Sequence, residues 1–184
     1  MDKFKYLYNQ LGGSNSSSAL DSICRLVDDI PYENINPGFL DNAILYFDDA
    51  GKVIAIDTSP ITGKDLMIWP DNARYEGTLK DTSEILEIAG GNADDVARVI
   101  SASNDGVKGA LEVLDRTGNN IDDAVNMLGK VSGNADDAIQ VVSAANNSVD
   151  DALRILEKTG NNVNKAVDIL GKVGGHVNES FNRH

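Results

Sequence analysis

Disulfides, clustered cations and long apolar runs are what this sequence does without. One cysteine among 184 residues, Cys24, rules out an internal disulfide framework. It lies in the apolar-periodic run ALDSICRLV and reads as a small buried hydrophobe. No apolar stretch approaches the roughly 20 residues needed to span a bilayer. The opening MDKFKYLYNQLGG has no smooth apolar segment of the signal-peptide kind, so a cytoplasmic location is the default expectation. Sixteen Lys and Arg stand against twenty-nine Asp and Glu, a net charge of −13. Without a basic cluster there is nothing to neutralise phosphates, so nucleic acid is not an expected partner, and anionic membrane surfaces are disfavoured for the same reason. Aromatic residues make up 5% of the chain, so the core must be built mainly from Ala, Val, Ile and Leu.

Proline, tyrosine and tryptophan vanish partway along. All four prolines, all five tyrosines and Trp69 precede Thr78. Such a shift predicts a boundary near Glu76 and Gly77, with a small α+β domain over 1–77 and a helical domain over 78–184. In the first region KFKYLYNQL is a short helix or an extended arm, and Gly12–Ser18 is turn-prone. Residues 19–30 have helical spacing, with Leu20, Ile23, Cys24 and Val27 on one face and Pro31 as a stop. The strings AILYFD, DAGK and VIAID predict a β-hairpin over about 43–57, with Gly51 in the turn, and LMIW at 66–69 is a candidate third strand. Trp69 is expected in the core of this small domain.

The second region divides into 14-residue units beginning at Asn92, Gly106, Asn120, Asn134, Ser148 and Asn162, with a degenerate copy before them and a truncated one, HVNESFNRH, after. Each unit predicts one helix of about ten residues. Position 1 is usually Asn or Ser, good N-caps. Positions 3 and 4 are often Asp-Asp, where the helix dipole favours negative charge. Apolar residues at positions 2, 5, 6 and 9, with 8 besides, form a buried stripe. Gly and Asn at 13 and 14 suit a left-handed C-cap. Helices this short need neighbours, which is the logic of a repeat array. Residues 92–133 and 134–175 are identical at more than half of their 42 aligned positions, so the larger unit is three helices long. The expected fold is mainly α: an array of short helices preceded by a small α+β cap. Stacking as a solenoid and folding as two three-helix globules both remain open at this point.

VDDALRILEKTGNNVNKAVDIL (149–170) and ALEVLDRTGNNIDDAVNML (110–128) share an Ala-Leu-x-x-Leu helix, a Thr-Gly-Asn-Asn turn and an Ala-Val-x-x-Leu helix. This pattern resembles the second and third helices of the ubiquitin-associated (UBA) domain, a three-helix module many of whose members bind ubiquitin. The resemblance implies that Ile169 and Leu170, or Met127 and Leu128, fall on the binding helix. The family's first loop carries Met-Gly-Phe or Met-Gly-Tyr, whereas this chain has Asn-Asn-Ser-Val at 146–149 and Asn-Asp-Gly-Val at 104–107.

Candidate chemistry is sparse. The two histidines, His176 and His184, lie in the terminal HVNESFNRH, whose eight-residue spacing is compatible with a metal pair, though a polar chain end is the simpler reading. TSPITGKDL (58–66) fails as a phosphate loop because Thr58 stands where the first glycine belongs. The pairs Asp94-Asp95, Asp122-Asp123, Asp136-Asp137 and Asp150-Asp151 lack the alternating donors of a calcium loop. They are expected to complement helix dipoles, and they are also the candidate partner-binding residues, as an acidic ridge facing a basic protein. No cofactor or metal is expected. The expected function is a non-enzymatic interaction or scaffold module. Its low-aromatic helices and ITGKDL resemble segments preceding toxin domains in large bacterial secreted proteins. The competing readings are an acidic immunity or inhibitor protein that neutralises a basic enzyme such as a nuclease, and an enzyme built on the terminal His-Glu-Arg-His string. Self-association is compatible with all of them.

Overall fold

The computed structural model describes residues 41–57, 59–62 and 70–177. The expectations for residues 3–30, including Cys24, and for LMIW and Trp69 lie outside them. The described residues form two compact units that divide between Ser101 and Ala102.

The first unit opens with the hairpin. β1 (Ile44–Phe47) pairs antiparallel with β2 (Val53–Asp57). Gly51 takes the left-handed conformation in the turn, at φ +74°. The Asp48 carboxylate closes the turn by accepting from the amides of Ala50 at 3.0 Å and Lys52 at 2.9 Å. The third strand is β3 (Tyr75–Thr78), antiparallel to β1, so the sheet order is β2-β1-β3. As the central strand, β1 buries Leu45, Tyr46 and Phe47 in succession. A single helical turn, Ser59–Thr62, follows β2 and is capped by buried Asp57, which accepts from the Ser59 amide at 2.7 Å and hydroxyl at 2.9 Å.

Seven helices follow among the described residues: α1 (Leu79–Ile88), α2 (Ala93–Ala102), α3 (Gly106–Arg116), α4 (Ile121–Lys130), α5 (Ala135–Ala144), α6 (Val149–Lys158) and α7 (Val163–Lys172). The chain is thus mainly helical, with a small three-stranded antiparallel sheet towards its N-terminus. α2 supports the sheet: a Cβ on Gly51 would run into the Ala97 carbonyl, and the Tyr75 hydroxyl donates to the Ser101 carbonyl at 3.3 Å. In the second unit each of α3 to α5 packs on the next helix and on the next but one, and α6 packs on α7.

The buried stripe keeps positions 5, 8 and 9 of the expected one and departs from it at its edges. Position 6 of every unit (Ala97, Leu111, Val125, Ile139, Leu153 and Val167) is only half-buried. Positions 5, 8 and 9 carry the core, as in Ala152, Ile155 and Leu156, and position 12 joins them at Ser103, Thr117, Val131 and Ala145. Position 12 follows the last helical residue, where the chain doubles back and encloses it. The buried Thr117 hydroxyl satisfies itself on the carbonyls of Val113 and Leu114 at 3.0 and 3.2 Å, which is how a polar residue enters this stripe.

Two predictions follow from this packing. Ala152→Asp buries an unpaired carboxylate at a fully enclosed site and is expected to cost upwards of about 3 kcal/mol. Leu153→Asp, one residue on, is expected to cost well under half of that in urea denaturation followed by circular dichroism; equal losses would refute the assigned phase. Burial, and then the carboxylates of Asp57 and Glu76, raises the pKa of the Tyr46 phenol above its ordinary 10.0. The folded phenol resists ionising, so stability holds below that value and declines as pH rises through it. Tyr46→Phe should flatten this alkaline decline in urea midpoints.

Candidate interaction surface

The turns between helices decide what the surface presents. α6 ends with Thr159, then Gly160 and Asn161, both left-handed at φ +65° and +62°. The Asn161 amide donates to the Leu156 carbonyl at 2.7 Å and the Gly160 amide to that of Glu157 at 3.2 Å, which satisfies carbonyls the helix leaves open. Asn162 then caps α7, its side chain accepting from the Lys165 amide at 2.9 Å. Equivalent caps are made by Asn92 to Asp95, Asn120 to Asp123, Asn134 to Asp137 and Ser148 to Asp151. The exception is α3, whose N-cap, Asp105, makes no side-chain cap bond. Its carboxylate accepts instead from the Ala135 amide at the start of α5, at 3.4 Å.

A longer connection recurs 42 residues apart. The Asn104 side chain donates to the Ser132 carbonyl at 2.7 Å, and the Asn146 side chain to the Gly174 carbonyl at 2.8 Å. Each bond ties the turn after one helix to the turn two helices later. The approach is close enough that a Cβ on Gly133, at φ +82°, would meet the Ala102 carbonyl and the Asn104 amide at 2.9 Å. This clasp was not foreseeable from spacing alone; its one trace in the sequence is that Gly133 and Gly175 hold a place that Asn119, Asn147 and Asn161 hold in other units.

The four Asp pairs lie in the first turns of α2, α4, α5 and α6, as the dipole argument expects. Within each pair the first carboxylate, on Asp94, Asp122, Asp136 or Asp150, is exposed and the second is half-buried. The second is also the more engaged at two sites. Asp95 accepts from Asn92 at 2.8 Å and pairs with Arg98 at 3.1 Å, and Asp151 lies 3.8 Å from the His176 ring. The pairs begin four different helices, one in the first unit and three in the second. No group of three or more His, Cys, Asp or Glu among the described residues is arranged to hold a metal ion.

Among the described residues, two open grooves lie in the second unit. The larger, about 540 Å³, lies between α4 and α6 and is lined by Asn126, Lys130, Asp150, Leu153, Arg154 and Glu157. Lys130 reaches across it to Glu157 at 3.7 Å. The smaller, about 400 Å³, is bordered by Arg116, Thr117 and Gly118 on one side and Asn147 and Val149 on the other. Of the residues that the UBA resemblance places on a binding helix, Met127, Leu128 and Leu170 are fully buried and Ile169 alone is half-exposed. The first three therefore serve the core. Of HVNESFNRH only His176 and Val177 are described, Val177 being buried; the remaining residues of the His-Glu-Arg-His string lie outside.

Compared with known proteins, the chain matches no family model, no curated protein and no solved structure.

The clasp gives a direct test. Asn104→Ala is expected to cost about 0.5–1 kcal/mol, since the clasp is lost although water can take its place at the exposed Ser132 carbonyl. Gly118, at φ +67° with open space where a Cβ would go, supplies the control. Gly118→Ala carries backbone strain of about 1 kcal/mol, and Gly133→Ala should exceed it through the added collision. Coincident urea midpoints for the two glycine variants would mean that the close approach at Gly133 is not formed in solution.

Proposed function

We propose that the helices of residues 102–175 act as a protein-interaction module, binding rather than transforming their target. The observation that carries this reading is the groove between α4 and α6. It is open to solvent and bridged by the Lys130–Glu157 ion pair, with charges of both signs on its walls and half-buried Leu153 among its lining residues. Small-molecule sites are typically enclosed and mostly apolar, with a few convergent polar groups. An open groove that offers one apolar contact flanked by Lys130, Arg154, Asp150 and Glu157 suits the side chains of a peptide or helix better. The twin clasps support the same reading, because they fix the turns against one another and so preorganise the surface between them.

The acidic inhibitor reading is favoured by one observation of its own. Asp94, Asp122, Asp136 and Asp150 are exposed, so each pair keeps a solvated carboxylate to offer a basic protein. Attraction of that kind is steered by charge and weakens with ionic strength.

Affinity capture on the immobilised chain, at low and at high salt with proteins identified by mass spectrometry, separates the two. A partner retained at high salt, and lost with Leu153→Glu in the groove, is the expected result. A basic enzyme released by salt would move the conclusion to the inhibitor. If nothing is captured beyond the level of an unfolded Ala152→Asp control, the interaction reading fails.

A further inference from the structure

We propose that the groove between α4 and α6 receives an amphipathic helix of a partner protein, which sets an acidic side chain against Arg154 and a basic one against Asp150. The proposal rests on the interaction reading above and names the chemistry of the partner. Asp150, Arg154 and Glu157 all line the groove, and their spacing of four and then three residues puts them on one side of α6. Glu157 is bridged to Lys130 across the last turns of the two helices. The other end is left unspent. Lys108 pairs with Glu112, and Asp168 with Lys172, each four residues apart on one helix. Asp150 and Arg154 have the same spacing, in the acid-first order of Asp168 and Lys172. Both are nevertheless exposed, and neither takes part in an ion pair among the described residues. In a chain with 29 acidic residues, a guanidinium without a carboxylate thus stands in a groove beside half-buried Leu153.

The shape of the occupant follows from the helices already there. α5 packs on both α4 and α6 and supplies none of the residues that line the groove, so this pair of helices already seats one helix on the side away from it. The open side offers the same two rails over the turns from Asp150 to Glu157, about 10 Å of helix. The chemistry of the occupant follows from the two unspent charges. A guanidinium fork takes a carboxylate through two parallel hydrogen bonds, which fixes the angle of approach. Asp150 takes a lysine or an arginine. Two such partner residues share one face of a helix when they are four apart, and an apolar side chain next to them covers Leu153. The same walls turn away partners of a single sign. A wholly basic segment meets Arg154 and Lys130, and a wholly acidic one meets Asp150 and Glu157.

Fluorescence anisotropy of short synthetic helical peptides, titrated with the full chain, tests the proposal. The peptides share one apolar stripe and differ at two flanking positions four residues apart, which carry Glu and Lys in either order, two Lys or two Glu. The expected result is that a mixed peptide binds at least about tenfold tighter than both like-charged ones. Arg154→Glu should abolish that preference and favour the two-lysine peptide, with circular dichroism unchanged because Arg154 is exposed. Lys165→Glu, an equal change of charge at an exposed residue of α7, should leave the affinity of the mixed peptide as it was. Peptides that bind equally, or not at all, overturn the proposal, as does a loss that Lys165→Glu reproduces. Self-association of the chain that Arg154→Glu removes would give the groove to a second copy and overturn it too. If the peptides fail while affinity capture still returns a protein that Leu153→Glu releases, the interaction module stands and its partner has another chemistry; if capture fails as well, both readings fall.

Discussion

The helix ends hold this structure together. Ten-residue helices are marginal in water, because the cost of nucleation is spread over few hydrogen bonds and the open groups at each end are a large share of the total. Here nearly every end is closed by the same short device: two left-handed residues that return amides to the last carbonyls, then an Asn or Ser that takes up the first amides of the next helix. At Gly160-Asn161-Asn162 three residues complete one helix and open another. The apolar stripe supplies the driving force for packing, but the turns direct each stripe inwards, and the clasps of Asn104 and Asn146 then fix one turn against another.

Much of this was legible in the residues themselves. Asn at position 1 and Gly or Asn at 13 and 14 have local physical meaning, and the caps appear where that meaning places them. The hairpin was equally plain, since Asp48 and Gly51 are turn residues between two β-rich strings. The edges of the buried stripe were not. Leu111 and Leu153 look as apolar as Leu114 and Leu156, and only packing separates the rim from the core. Thr117, a polar residue in a turn, looks like a surface position until its hydroxyl is seen to satisfy itself on its own helix. β3 sets the strand formers Tyr75 and Thr78 around unfavourable Glu76 and Gly77, and takes its place through register with β1.

The candidate site divides in the same manner. That the Asp pairs would begin helices followed from electrostatics local to each unit. That one carboxylate of each pair would be exposed and the other half-buried required the helix faces to be oriented. The groove between α4 and α6 joins residues as far apart as Asn126 and Glu157 and has no mark in the sequence. The clasps are little better marked: each joins a side chain to a backbone carbonyl, and only the glycines at 133 and 175 betray the close approach.

The separation across those clasps also constrains how the chain can change length. Asn104 reaches the carbonyl of Ser132, and Asn146 that of Gly174, so each bond closes a loop containing two helices and the turn between them. A single inserted residue inside either loop would rotate everything beyond it by about 100° on a helix of 3.6 residues per turn, turning core positions towards water and moving the carbonyl away from its donor. Length within each clasped loop is therefore constrained, and changes that keep the 28-residue separation of the clasp partners are tolerated far more readily than single-residue ones.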